Sequence, residues 1–162
     1  MNRSASNCDI CPIIENPSAD EKSLRLHEGE FWHATLRQQD QEYLGTSYVT
    51  LRRHAEALDE LSVEEELEFI TIRNQLLRAQ MNAFGAKIVN ISCLMNDTFR
   101  QVTPAPHVHY HLKPRYSEPV IFEGEEFIDR QFGHYIKEKK PHPVSLEVAQ
   151  KIAGVLRTEM EL

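Results

Sequence analysis

Apolar residues recur at Val63, Leu67, Ile70, Leu77, Met81 and Phe84, with Asn74 as the one polar break. That is helical spacing, and it predicts a long helix whose apolar stripe is expected to face the core. Ser62-Val63-Glu64-Glu65 is a capping box at its start, and Gly85 stands where a C-cap glycine belongs. Before this helix the pattern changes to short β-rich runs. Residues 24–27 and 31–36 read as strands joined by a turn at Glu28-Gly29-Glu30, and Thr46, Tyr48, Val49 and Thr50 mark a strand over 46–52. After it, 87–95 reads as a strand with Val89, Ile91, Cys93 and Met95 on its apolar face. Residues 118–127 suit a small hairpin around Gly124, and 144–160 a closing helix capped by Ser145, burying Leu146, Ala149, Ile152, Ala153 and Leu156. Residues 1–7 read as loose, 16–20 as a turn, and 117–143 as largely irregular. With no repeat and no composition break, 1–162 is expected to form one domain.

One stretch stands apart: Pro106-His107-Val108-His109-Tyr110-His111-Leu112-Lys113-Pro114. Val108 and Tyr110 favour a strand, in which alternate side chains share a face. The three imidazoles then line one side, roughly 6–7 Å apart in succession. On a helix the i and i+2 positions diverge and the cluster disperses. A neutral imidazole can be a nucleophile, an acid or base, or a metal ligand near neutral pH.

Composition narrows the classes. The 162 residues are 41% hydrophobic and 27% charged, as for an ordinary globular domain. A net charge of −7 argues against binding a nucleic-acid polymer, although a small phosphate pocket remains compatible with it. Lys137, Lys139 and Lys140 read as a solvated turn. No apolar run approaches a membrane span, and the first residues lack the apolar core of a secretion signal, so a cytoplasmic location is expected. Cys8 and Cys11 form a CxxC. It reads as two ordinary thiols, as a redox pair without a surrounding βαβ unit, or as half of a tetrahedral zinc site that needs two more ligands. Cys93 is expected in the core, and His27, His33, His134 and His142 at the surface.

The stretch 107–112 resembles the His-x-His-x-His-x-x motif of the histidine-triad family, and the order of elements over residues 8–116 resembles that family too. The resemblance implies an α+β fold: an antiparallel sheet of about five strands, one long helix and a C-terminal helix, dimerised through the helix and sheet region. It implies attack on the α-phosphorus of a nucleotide derivative, such as a dinucleoside polyphosphate or a nucleoside phosphoramidate. His109 would be the nucleophile, forming a nucleotidyl-imidazole, and His111 would face the phosphate oxygens. Asn96 takes the family's amide position and Gln38 the ribose position; Thr103 stands in for the hydroxyl of the loop before the triad, and Arg100 would supply positive charge to the leaving group. The base would sit against the early strands, with Trp32 or Phe31. Three departures are visible: Thr46 replaces a fourth histidine after Gly45, Gln38 stands where Asp or Asn is usual, and the 97–104 loop has no glycine; Lys113 also fills an apolar motif position. They keep a second reading in play, a non-catalytic nucleotide-binding or interaction protein on the same scaffold. A reading with all three histidines on one metal ranks below both. Some bacterial members bind structural zinc at positions that correspond to Cys8, Cys11, His54 and His107, which supplies the CxxC with its two missing ligands.

Overall fold

The computed structural model describes residues 7–137 and 140–161. The expectation for residues 1–6, and that for Lys139 in the basic turn, lie outside the described residues. Strands β1 (Arg25–Glu28), β2 (Trp32–Leu36), β3 (Ser47–Leu51), β4 (Ile88–Ser92) and β5 (His109–Arg115) form one sheet in the order β1-β2-β3-β5-β4, antiparallel throughout. Strands β6 (Val120–Phe122) and β7 (Glu125–Phe127) make a separate hairpin. Its turn residues Glu123 and Gly124 both have positive φ, 51° and 79°, the geometry of a tight type I′ turn. The helices are α1 (Cys11–Glu15), α2 (Ala19–Ser23), α3 (Val63–Phe84) and α4 (Leu146–Met160). Within 16–20, Ser18 starts α2 through a full capping box rather than forming only a turn. Among the described residues no helix is long and apolar enough to cross a membrane.

Alternation sorts the sheet into two faces. On one, Trp32, Ala34, Leu36, Val49, Leu51 and Leu112 are buried in a core shared with α3 and α4. Phe69 of α3 stacks on Tyr110 at 4.0 Å, and Trp32 lies 5.2 Å from Phe69 while its indole N–H donates to the Glu65 carbonyl. The register His33–Thr50–His109, together with Thr35–Tyr48–His111, puts these side chains on the other face.

Helix α3 spans the expected residues, with Ser62 and Glu65 closing the box and Gly85 left-handed at φ 73°. Its orientation differs from the expectation. Val63, Leu67, Ile70 and Met81 are 40–70% exposed. The buried face is Glu65, Phe69, Ile72, Leu76, Ala79, Gln80 and Phe84. The two stripes are offset by two residues, roughly 200° around the helix, so each matches helical spacing equally well. Polar residues disguise the true inner stripe. Glu65 is buried because it takes both Arg53 nitrogens at 2.6 and 2.9 Å, and Gln80 because it donates to the Gly45 carbonyl.

The 117–143 segment is tied down by β5 itself. Arg115, nearly fully buried, forms a bidentate pair with buried Asp129 at 2.6 and 3.1 Å. It also donates to the Gln131 and His134 carbonyls and to Asn90. Removing one partner strands a buried charge. Asp129→Ala is expected to cost about 3–5 kcal/mol, read as a lowered midpoint in urea unfolding. A change under 1 kcal/mol would mean the pair does not hold this segment.

Candidate active site and an adjoining Cys2His2 cluster

The backbone of the triad strand sets the chemistry of its central ring. His109 Nδ1 lies 2.7 Å from the His107 carbonyl, which can only accept, so Nδ1 carries the proton. Nε2 is therefore unprotonated, and His111 Nε2 sits 3.1 Å from it. Two unprotonated nitrogens would repel there, so His111 Nε2 is the donor. Burial, more than any neighbouring charge, holds the His109 pKa below its ordinary value. Tyr48 packs on His111 with ring centroids 4.3 Å apart, and Arg37 lies over the Tyr48 ring.

One residue earlier on the same face, the cluster begins. His107 Nε2 donates to the Leu51 carbonyl at 2.8 Å, which leaves Nδ1 as a lone pair. That lone pair faces Cys8 Sγ at 3.4 Å and Cys11 Sγ at 3.5 Å. His54 Nδ1 is 3.4 Å from Cys11 Sγ, and its Nε2 is 3.4 Å from Glu56. The four donor atoms lie within 4.8 Å of one another, and both cysteines are buried and unbridged. A tetrahedral ion with bonds of about 2.3 Å to sulfur and about 2.0 Å to nitrogen separates S from N by about 3.5 Å. The donor set fits such an ion, with no open position and with outer partners, Leu51 and Glu56, orienting both imidazoles. His107 links the two centres: its ring belongs to the cluster and its carbonyl holds His109.

Three pockets border the triad. One of about 400 Å³ is lined by Ile10, Leu24, Leu36, His33, Thr35, Gln38 and His109. A second of about 400 Å³ carries Arg37, Asn96, Thr98, His109 and His111. A third of about 600 Å³ runs from His111 along β4.

No family model and no curated protein matches the sequence. Solved structures do. A Zn-bound histidine triad family protein from Mycobacterium smegmatis is 18% identical, with 96% of this chain and 94% of that chain covered and a TM-score of 0.61. A Hit-like protein involved in cell-cycle regulation from Bartonella henselae is 19% identical over 97% and 98%, at 0.65. A diadenosine triphosphate hydrolase from Plasmodium falciparum is 14% identical over 86% and 78%, at 0.60. The fold is the histidine-triad fold.

Within that fold, Asn96 and Gln38 lie in the pockets beside His109. Gln38 lines the first of them, with its amide N–H already donated to the Val144 carbonyl. Arg100 is exposed, pairs with Asp97 at 3.8 Å and lines none of the three pockets. Thr103 lines none of them either; its hydroxyl accepts from Asn7. Arg37 and Thr98 stand at the pocket instead, and Thr98 Oγ1 accepts from Ala105 N at 2.8 Å. Arg37 had a sequence signal: His33, Thr35 and Arg37 alternate along β2 as Tyr48 and Thr50 do along β3. Thr46 is fully buried and donates inward to the Tyr43 carbonyl. The pocket with Gln38 is walled by Leu24, Leu36 and the isoleucines of the N-terminal segment, not by Trp32 or Phe31. His33, expected at the surface, is 6% exposed there, and burial together with Arg25 and Arg52 pushes its pKa down to about 3. Arg25 lines the same pocket, and its buried Nε has no hydrogen-bond partner among the described residues.

Proposed function

We propose that the protein is a nucleotide hydrolase or nucleotidyl transferase that works through a covalent nucleotidyl-His109. The observation that carries this reading is the unprotonated Nε2 of His109, held at the junction of two pockets by the hydrogen bond that its Nδ1–H donates to the His107 carbonyl. A nucleoside fits the pocket of Leu24, Leu36 and His33, with Gln38 within reach of a ribose hydroxyl. Its α-phosphate then falls between His109, His111, Asn96 and Arg37. His109 Nε2 attacks phosphorus, the leaving group departs, and water releases the nucleotide. His111 Nε2–H and Arg37 stabilise the charge that develops on the phosphoryl oxygens. The pure protein, incubated with diadenosine tetraphosphate and separately with an adenosine phosphoramidate, is expected to release AMP. Binding of both without product would favour the second reading, a non-catalytic nucleotide-binding scaffold, for which the inward-turned Thr46 is the specific observation.

Cys8, Cys11, His54 and His107 would hold zinc. Bound there, it supplies no reaction chemistry; it ties the N-terminal segment to the ends of β3 and β5. We place the protein in the cytoplasm, where the three unbridged cysteines stay reduced. We also propose a homodimer through the outward stripe of α3 and the exposed Ile88 and Ile91 of edge strand β4. Leu67→Glu is expected to convert the dimer to a monomer in light scattering. A monomeric wild type, or a dimer that survives the substitution, would remove this assignment.

A further inference from the structure

The pocket of Leu24, Leu36 and His33 has a polar end that the chemistry above does not use. Two rows of side chains cross the same face of the sheet. His109, Thr50 and His33 lie opposite one another on β5, β3 and β2. His111, Tyr48, Thr35 and Arg25 do so on β5, β3, β2 and β1. Neighbouring strands are about 4.8 Å apart, so the backbone of Arg25 lies about 14 Å across the sheet from the triad strand. The pocket therefore runs from His109, past Thr50 and His33, to Arg25.

Arg25 is held there by the fold. Its carbonyl accepts from the Arg157 guanidinium of α4 at 2.9 Å, and the same nitrogen donates to the Ser23 carbonyl. Its side chain is only 15% exposed. Nη1 lies 3.7 Å from Glu28, and Nε is buried with no hydrogen-bond partner among the described residues. Buried donors without an acceptor are uncommon in native structures. Nε and Nη2 carry two parallel N–H bonds on one edge of the guanidinium, a fork that matches two adjacent acceptors.

The rest of the lining says what carries those acceptors. Ile10, Ile13, Ile14, Leu24 and Leu36 offer aliphatic surface, which suits the faces of a flat ring and would leave a free phosphate or carboxylate poorly solvated. His33 adds no second cation, because burial, then Arg25 and Arg52, keep it neutral. The occupant is a ring with apolar faces and a pair of acceptors on its edge. Guanine O6 and N7 are such a pair. Adenine presents N7 beside an amino group, so one N–H of the fork would face another donor.

We propose that Arg25 reads the base, and that the protein selects guanine over adenine nucleotides by donating Nε–H and Nη2–H to O6 and N7. The assignment rests on the nucleotidyl-transfer reading above, which puts the nucleoside in this pocket. Arg25 touches only the base and takes no part in the displacement at phosphorus.

Calorimetric titration of the full-length protein with GMP, IMP, AMP, CMP and 7-deaza-GMP reads base preference without turnover. IMP keeps O6 and N7 but lacks the 2-amino group, and 7-deaza-GMP lacks only the N7 acceptor. GMP is expected to bind about thirtyfold tighter than AMP, the scale of one bidentate base contact. IMP should match GMP within about threefold, and 7-deaza-GMP should bind about tenfold more weakly. Arg25→Met, which keeps an unbranched apolar stem, is expected to bring the GMP-to-AMP ratio below about threefold. Equal affinities for GMP and AMP, IMP as weak as AMP, 7-deaza-GMP as tight as GMP, CMP as the tightest ligand, or an unchanged GMP preference in folded Arg25→Met would each overturn the proposal. The analogue comparisons use the wild type alone, so they decide the matter even if the variant does not fold. Turnover of guanosine and adenosine 5′-phosphoramidates separates this proposal from the chemistry it rests on. A GMP preference in binding, lost with N7, without release of either nucleotide would keep the role of Arg25 and overturn the nucleotidyl transfer. Release of GMP and AMP with equal kcat/KM, together with equal affinities, would do the reverse.

Discussion

His109→Ala is expected to lower AMP release by about four orders of magnitude or more, the scale seen when a covalent nucleophile is removed from an otherwise intact site. The fold should survive. The ring is only partly buried, and its hydrogen bonds go to the His107 carbonyl and to His111. Losing it leaves that carbonyl without its imidazole partner, a cost of about 1–3 kcal/mol if water does not replace it. His111→Ala removes a donor rather than the attacking atom, so its expected loss is smaller, about a hundredfold. A steady-state assay on both variants, with circular dichroism to verify folding, gives the comparison. Equal losses would leave the two roles undivided, and wild-type turnover by folded His109→Ala would remove the nucleophile assignment.

Loss of the Cys2His2 cluster should affect stability as strongly as Asp129→Ala does. The segment carrying Cys8 and α1 is otherwise held by few polar contacts, among them Gln101 to Asp9 at 2.6 Å and Asn7 to Thr103 at 3.0 Å. Its buried contacts are Cys8, Cys11 and Ala105, a small patch apart from the main core. A zinc ion present at about a thousand times its dissociation constant adds about 4 kcal/mol. For a chain of this size that corresponds to a melting temperature about 10 °C higher. Cys11→Ala is therefore expected to purify without stoichiometric metal and to melt about 10 °C lower. Chelator treatment of the wild type should reproduce the shift, and added zinc should reverse it. His107 spans both centres, so the variant should also lose activity even though Cys11 is not one of the reacting groups. Unchanged melting in a metal-free variant would show that the N-terminal segment is held without the ion.

Much of this architecture was legible because its signals are local. Ser62, Glu65 and Gly85 fix the ends of α3 through backbone hydrogen bonds and one left-handed residue, and such signals do not depend on distant contacts. Alternation through Val108 and Tyr110 placed the three histidines on one face for the same reason. The facing of α3 was not legible. Its two stripes satisfy the same spacing, and what decides between them is non-local: Arg53 receiving Glu65 and the Gly45 carbonyl receiving Gln80. The pocket beside His109 and His111 shows a similar limit. Arg100 and Thr103 precede the triad in sequence, yet the 97–104 loop carries them away from it. Arg37 arrives from the far side of the sheet because β2 pairs with β3 and β3 with β5. His33 is buried across the same pairing, in a pocket it shares with Ile10, Ile13 and Ile14 of the N-terminal segment. The Arg115–Asp129 pair joins residues fourteen apart through a loop with no periodic pattern, so no spacing rule announces it.

The covalent intermediate tests the account most directly. The wild-type protein would be mixed with adenosine phosphoramidate, quenched in alkali during the first turnovers to preserve a phosphorus–imidazole bond, and examined by intact and peptide mass spectrometry. The account predicts one AMP per chain, carried by the peptide around residues 107–115 on His109, and absent from His109→Ala. AMP release with His109 unmodified at every quench time, or AMP carried on another residue, would contradict it.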